Sequence, residues 1–330
     1  MSDDVIPLPR DDSLPGTLPE FTRKFSSDNA CAALLRRWKY GEEGFRCPRC
    51  GGRRAWFLPS RRLDECVSCH KQVSLTSGTV MHGSRKPLRL WFLAMFLFVV
   101  SKQGISAMDL SRQLGISYPT AWTWLHKLRA AVGTRAKTML HGVVEADETW
   151  EGGVERGLPG RPTVGKKKAL IAGAIEVKRK KGWGRLRLQS VETASAASLG
   201  AFLHENVAPG STLLTDDWRS YRRPAKEAGY RHIATNMKTV PEGAHTVLPG
   251  IHRVFALLHR VLLTTHQGAV SRKHLQNYVE EFAFRFNRRS SASRGLLFQR
   301  VLSAAVMRAA PCYWEILGRP DPDTPLWMAA

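Results

Sequence analysis

No apolar run in this 330-residue sequence is long enough to cross a bilayer. The densest, Leu88–Val100, falls short of the roughly 20 residues a spanning helix needs and predicts a buried helix instead. The start, MSDDVIPLPRDD, lacks the basic-then-apolar pattern of a cleavable signal, so none is expected and a cytoplasmic location is. Cysteine is sparse as well. Of six, four stand in two C-x-x-C pairs, which argues against a disulfide framework and for metal binding in a reducing compartment. Acidic residues are the most telling shortage: 28 Asp and Glu against 50 Lys and Arg leave a formal charge of +22. Such an excess favours a polyanionic partner through counterion release, nucleic acid first. An anionic membrane is the competing partner. No single amphipathic helix collects the basic residues, however, so no membrane association is expected.

Cys47-Pro48-Arg49-Cys50 and Cys66-Val67-Ser68-Cys69 are separated by fifteen residues, enough for a short hairpin that brings both thiolate pairs to one point. Four thiolates in a tetrahedron match structural Zn²⁺, a closed site that stabilises a fold and leaves no position for catalysis. Arg46, Arg49, Arg53, Arg54, Arg61, Arg62 and Lys71, interleaved with Trp56 and Phe57, give this ribbon a DNA-facing surface or simply a solvated basic one. Ahead of it, Phe21, Phe25, Ala30, Ala33, Leu34 and Trp38 suggest one or two short helices, with Cys31 a small core residue. Residues 1–18, broken by Pro7, Pro9, Pro15 and Gly16, are expected to form a disordered tail.

Ser106–Leu114, a turn at Gly115, and Tyr118–Val132 with Pro119 near its start read as two helices. Ala121, Leu125, Leu128 and Val132 share one face and predict the buried side; Thr120, Thr123, Trp124 and Lys127 point elsewhere. This is the pattern of a helix-turn-helix whose second helix enters the major groove, and a plain helical hairpin would show the same spacing.

In His141–Gly153, HGVVEADETWEGG, the residues Val143, Val144 and Ala146 predict a buried strand with Asp147 and Glu148 near its end. Adjacent carboxylates suit magnesium, a hard cation that takes oxygen ligands, although an exposed turn explains Asp147 better when it is read alone. Strands at Ala169–Val177 and Leu186–Val191, a helix at Ala194–Glu205, and a strand Thr212–Thr215 running into Asp216-Asp217 complete a mixed α/β sheet with two carboxylates at one edge. A helix from Pro249 carries Ile251, Val254, Phe255, Leu258 and Leu262 on its apolar stripe, with His252 and His259 together on another face. Further helices are expected at Ser271–Arg289 and Leu296–Ala310.

Taken with CPRC and CVSC, several runs carry a family resemblance from about Phe21 to Phe298. They are TSGTVMHGSRKPLRLWF (Thr76–Phe92), SAMDLSRQLGISYPTAWTWLHKLR (Ser106–Arg129), VEADETWEGG (Val144–Gly153), TDDW (Thr215–Trp218), HRVF with LLTTHQGAVS (His252–Ser271), and EEFAFRFNRR (Glu280–Arg289). The chain resembles bacterial insertion-sequence transposases of the DDE class, in the ISXO2-like group with an N-terminal zinc ribbon and a third catalytic residue that is Asn, His or Glu.

The resemblance implies an RNase H-like mixed sheet flanked by helices, preceded by the ribbon and a helix-turn-helix domain. Its divisions would be 19–80, 81–138, 139–300 for the catalytic domain, and 301–330 for a C-terminal helix and tail. It implies an enzyme that cuts and joins DNA with Mg²⁺ or Mn²⁺, double-stranded element ends and target DNA as partners, a homo-oligomer on DNA, and a place at the bacterial nucleoid. Asp147 and Asp216 become the catalytic carboxylates and His252 the third ligand, with thirty-five residues between the last two. Glu148 would support the site; Asp217 stands where the family usually has Gly and reads as a helix N-cap, with a share in the metal as the alternative. His259 stands where Lys commonly contacts phosphate, and Val261 and Thr264 where Trp and Gly are usual. Neutral imidazole is a weaker phosphate anchor than an ammonium. A weakened copy acting as a DNA-binding regulator is therefore the alternative.

Overall fold

The structure, a computed structural model, describes residues 11, 13–133, 138–152, 168–178, 182–236, 239–240, 244–268, 270–309 and 311–319. Most of the expected tail, the Gly/Pro/Lys-rich loop at 153–167, the centre of the basic turn at 179–181 and the chain end from residue 320 lie outside the described residues. The described residues divide into two units: Gly133–Ser290 forms one, and the residues up to Val132 with those from Ser291 onward form the other.

Reciprocal hydrogen bonds between Thr17 and Glu20 start α1 (Leu18–Lys24), and Ser27 caps α2 (Asp28–Tyr40). Strands β1 (Ala55–Leu58), β2 (Leu63–Cys66) and β3 (Gln72–Ser74) form a three-stranded antiparallel sheet. Asp64 on β2 is fully buried and ties the ribbon to α2: the Tyr40 hydroxyl donates to it at 2.7 Å and Arg36 pairs with it at 2.8 Å. The buried helix anticipated at Leu88–Val100 is α3, and Asp28 accepts its Leu88 and Arg89 N–H groups because Pro87 has no side chain to cap it. Then α4 (Ala107–Leu114) stops at Gly115, whose φ of +62° suits a residue without Cβ, and α5 (Tyr118–Val132) follows.

The sheet unit contains β4 (Val143–Glu151), β5 (Ala169–Val177), β6 (Trp183–Val191), α6 (Ala196–Asn206), β7 (Thr212–Asp216), α7 (Arg219–Glu227), β8 (Arg231–Thr235), the short α8 (Ala244–Val247), α9 (Pro249–His266) and α10 (Arg272–Asn287). Its strand order is β6-β5-β4-β7-β8, antiparallel through β6, β5 and β4 and parallel through β4, β7 and β8. This is the mixed sheet flanked by helices that the resemblance implied. On one side Ile171, Ile175, Leu186 and Leu188 pack against α9 and α10; on the other Val144, Ala146, Ala172 and Leu213 pack against α6 and α7. Burial on both faces explains why β5 reads ALIAGAI without alternation. The outer strand β6 is covered by α10. The Asn287 side chain pairs with both backbone groups of Leu186, and Gln276 accepts the Ser190 N–H, which blunts an open edge.

After Ser290 the chain returns to the unit of the N-terminal helices as α11 (Arg294–Met307) and α12 (Tyr313–Leu317). Phe298 joins Phe21, Phe25, Phe92 and Phe96 in a cluster of rings with centroids 5.1–6.4 Å apart. The expected boundary at residue 300 therefore moves to Ser290, because α11 buries its apolar face among the N-terminal helices. Among the described residues no helix is long and apolar enough to cross a membrane.

Glu176 fastens the start of the sheet. It accepts the Arg185 N–H at 2.9 Å, the Arg185 guanidinium at 2.8 Å and the His141 ring at 3.0 Å. Burial opposes its charge, but these donors outweigh it and hold the carboxyl down at about 2. A depressed folded pKa contributes stability above the unfolded value of about 4.5 that is lost as pH falls towards 2. Glu176→Gln should therefore cost on the order of 1–2 kcal/mol at pH 7, after discounting for solvent screening. The gap should narrow below about pH 4 in urea unfolding curves; a constant gap would remove the ionic explanation.

Candidate active site and zinc centre

Alternation along β4 sends Glu145, Asp147, Thr149 and Glu151 to the face covered by α9, and Val144, Ala146 and Glu148 to the face covered by α6 and α7. Leu214 on β7 packs with the α9 cluster, so Asp216 two residues later shares the face of Asp147. Pairing of β4 with β7 ends at Glu145 and Leu214. Asp147 and Asp216 lie just beyond the point where this parallel pairing stops, Asp216 as the last residue of β7. The sequence placed Asp147 near a strand end. It is mid-strand instead, because β4 stays paired with β5 as far as Glu151.

Directly across from Asp147 on β5 is Gly173. A Cβ there would stand 2.8 Å from Ile251 and 2.9 Å from Phe255, so its absence lets α9 lie close on the sheet. His252 Nε2 then donates to Asp147 Oδ2 at 3.0 Å. That hydrogen bond holds the imidazole above its usual pKa against the effect of partial burial, and the charges of Glu145 and Asp216 act in the same direction. The second Asp147 oxygen accepts the Glu148 N–H at 2.8 Å, and Asp216 accepts the Trp218 N–H at 3.1 Å. Asp147 and His252 thus touch, and Asp216 joins them on one face. The three do not close into a group with all ligand atoms within 4.8 Å; among the described residues only the four cysteines do.

On the opposite face the buried Tyr221 hydroxyl donates to Glu148 at 2.8 Å. Burial, then the carboxylates of Glu148, Asp147 and Asp216, push this phenol far above its usual pKa, so it stays a donor. It ties α7, which follows Asp216, to the strand that carries Asp147. Asp217 does not cap α7: it pairs with Arg222 at 2.7 Å, and the helix starts after Trp218 without a side-chain cap. His259 lies two turns beyond His252 and faces the sheet, with Glu151 at 3.5 Å and the Thr149 hydroxyl at 3.4 Å. Sequence reasoning missed Glu145 and Tyr221. The polar residues at every second position of β4 from Glu145 were the available signal.

Cys47, Cys50, Cys66 and Cys69 converge, with Sγ–Sγ separations of 3.6 Å for Cys47–Cys69 and for Cys50–Cys66. A tetrahedron with Zn–S bonds of about 2.3 Å has edges of roughly 3.8 Å, so the sulfurs fit zinc. Arg46, Arg49, Arg53, Arg54, Arg61 and Lys71 are exposed around this centre, as is Trp56, whereas Phe57 lies under the Arg36 guanidinium.

In α5 the expected DNA-facing set separates. Thr120 and Thr123 are half-buried near its start, their hydroxyls bonded to Ser117 and to the Pro119 carbonyl. Lys127 is half-buried, and burial lowers its pKa beside Cys312 and Glu315. Trp124 must be withdrawn from the set: it is 4% exposed and stacks on Trp91 at 3.8 Å. Trp124→Ala should lower stability by about 3–5 kcal/mol in urea unfolding, the cost of emptying a packed aromatic site. A loss below about 1 kcal/mol would contradict that placement.

Residues 139–287 match the model of the ISXO2-like transposase domain, and residues 26–72 match the transposase zinc-ribbon domain. Together the two cover more than half of the chain. Over these two stretches the chain is similar to ISXO2-like transposases. The transposase-domain match takes in Asp147, Asp216 and His252 and ends on Asn287, which covers the sheet edge. The zinc-ribbon match takes in α2 as well as the cysteines, in keeping with the buried Asp64 that joins them.

A curated relative, an uncharacterized protein in the transposable element ISH50 of Halobacterium salinarum, is 29% identical over 144 residues. That stretch is 42% of this chain and 46% of the relative, so the chain spans about half the relative's length. Solved structures with some likeness include a pre-cleavage Mos1 transpososome (14% identity, 65% of this chain and 77% of that one, TM-score 0.24). Another is a simian T-cell lymphotropic virus intasome bound to the PP2A regulatory subunit B56 gamma (11% identity, 54% and 63%, TM-score 0.27).

Proposed function

We propose that the protein is a transposase that binds the ends of an insertion sequence and carries out divalent-ion-dependent cleavage and transfer of DNA strands. The observation that carries the reading is the Asp147–His252 contact, with Asp216 on the same sheet face just past the end of the β4–β7 pairing. The donor set fits a hard or borderline ion: two carboxylates supply oxygen and one imidazole supplies nitrogen. Asp147, Asp216 and His252 would hold Mg²⁺ or Mn²⁺, which when bound activates water and stabilises the leaving oxygen of a phosphodiester. The hydrogen bond between His252 and Asp147 holds the imidazole and the carboxylate side by side, where both would serve as ligands to one ion. Glu148, held by Tyr221, keeps the two carboxylate-bearing segments in register. The charge of +22 and the exposed arginines of the ribbon supply attraction to the DNA backbone.

The test is a duplex carrying the cognate element ends, incubated with protein and Mg²⁺ or Mn²⁺. Nicked ends that join to a second duplex are expected, through protomers that pair on DNA. A second reading, a DNA-binding regulator without chemistry, is favoured by His259, whose ring turns to Glu151 where the family commonly has a lysine. Tight end binding with no nicking in either ion would establish that reading and end the first.

A further inference from the structure

Helix α9 begins without a cap of its own. Leu248, its N-cap residue, makes no side-chain bond, and Pro249 at the first helical position has no N–H. The next two N–H groups, of Gly250 and Ile251, belong to buried residues. Both turn to a single carboxylate on another element. Glu145 Oε2 accepts the Ile251 N–H at 2.8 Å, and the Gly250 N–H acts on the same carboxylate. Glu145 is itself 2% exposed. A buried carboxylate at a helix N-terminus satisfies two otherwise orphaned donors and meets the positive end of the helix dipole. Gly250 makes room for the contact, since a Cβ there would stand 2.8 Å from the same oxygen and 2.4 Å from Trp183 Nε1.

Glu145 sits two residues before Asp147 on the same face of β4, and Ile251 sits one residue before His252 on α9. The cap therefore fixes how far along the strand the first turn of the helix comes to rest. That offset is what places His252 Nε2 3.0 Å from Asp147.

We propose that Glu145 is a positioning residue for the ion-binding pair: it caps α9 from β4 and so seats His252 against Asp147. It acts through backbone N–H groups. The proposal rests on Asp147 and His252 being ligands, and the test separates the two claims. Full-length parent, Glu145→Ala, Glu145→Gln, Gly250→Ala and Asp147→Asn proteins would be compared. The measurements are thermal melting, end binding without divalent ion, Mn²⁺ binding by calorimetry, and the Mn²⁺ concentration for half-maximal cleavage.

Glu145→Ala and Gly250→Ala should each weaken Mn²⁺ binding and raise the half-maximal concentration by about 10-fold or more, the usual cost of losing a partner that orients a ligand. End binding should stay within about 2-fold of the parent, since neither residue neutralises phosphate. Glu145→Gln, which keeps an acceptor oxygen, should recover most of the loss. If Glu145→Ala fails to fold, Gly250→Ala and Glu145→Gln carry the comparison. A lowered melting temperature with unchanged Mn²⁺ binding would overturn the proposal. Parent-like Mn²⁺ binding by Asp147→Asn would remove the ligand assignment, and the proposal with it, by a separately visible failure.

Discussion

Asp147→Asn should reduce strand cleavage by more than about 10³-fold while leaving end binding intact. A ligand oxygen that fixes a divalent ion contributes several kcal/mol to the transition state, and about 4 kcal/mol corresponds to that factor. The change is nearly isosteric, so packing gives little reason for a loss of fold. Asp147 is half-buried and bonded through one oxygen to the Glu148 N–H, which an amide oxygen can still accept. DNA affinity should hold or rise slightly, because a negative charge facing phosphates has gone. Asp216→Asn should behave the same way, as its Trp218 bond also survives the exchange. Gel-shift and cleavage assays on one end-bearing duplex decide the matter. Cleavage at the parent rate by either variant would sink the carboxylate assignment.

What the sequence disclosed here and what it hid have different physical origins. The strand at Val143, the apolar stripe of α9 and the paired C-x-x-C knuckles are local patterns, set by side-chain periods of two and 3.6 or by short metal-ligand spacing. So the sheet, the helix bearing His252 and the zinc centre could all be read from the chain. Glu145 was passed over because its partners, Gly250 and Ile251, are more than a hundred residues away. In the run VVEAD it resembles a polar interruption of a buried strand. Tyr221 was missed for the same reason, its acceptor Glu148 being 73 positions distant. Trp124 shows the opposite error. Helical periodicity assigned the buried stripe of α5 to Ala121, Leu125, Leu128 and Val132, but α3 and α11 both contact α5, so burial extends further round it. Asp217 failed as a cap because Arg222, one turn into α7, offered a charged partner at 2.7 Å.

Removing zinc should unfold the ribbon and leave the helices of its unit folded. The ribbon's own apolar core is small: Phe45, Cys47 and Cys66, with Tyr40, Ala55, Cys69 and Val73 packed against it. Its strands are four, four and three residues long. A segment of that size cannot offset its chain entropy by burial, whereas structural zinc contributes roughly 10–16 kcal/mol in zinc-finger peptides near neutral pH. Chelation, or Cys47→Ser, should therefore expose backbone amides from about residue 45 to 77 to hydrogen exchange while α3 and α5 stay protected. End affinity should fall at least about 10-fold near 0.15 M salt, because the exposed Arg46, Arg49, Arg53, Arg54, Arg61 and Lys71 lose their fixed arrangement. The salt dependence should become shallower by about 0.9 for each phosphate no longer neutralised, which tells a loss of ribbon anchors on DNA from general unfolding. The α2 end of the ribbon should hold longest, since Arg36 and Tyr40 grip Asp64 without help from the metal. Protein purified with almost no zinc yet binding ends at full affinity would show that four converging thiols, however well spaced, are not what holds this module together.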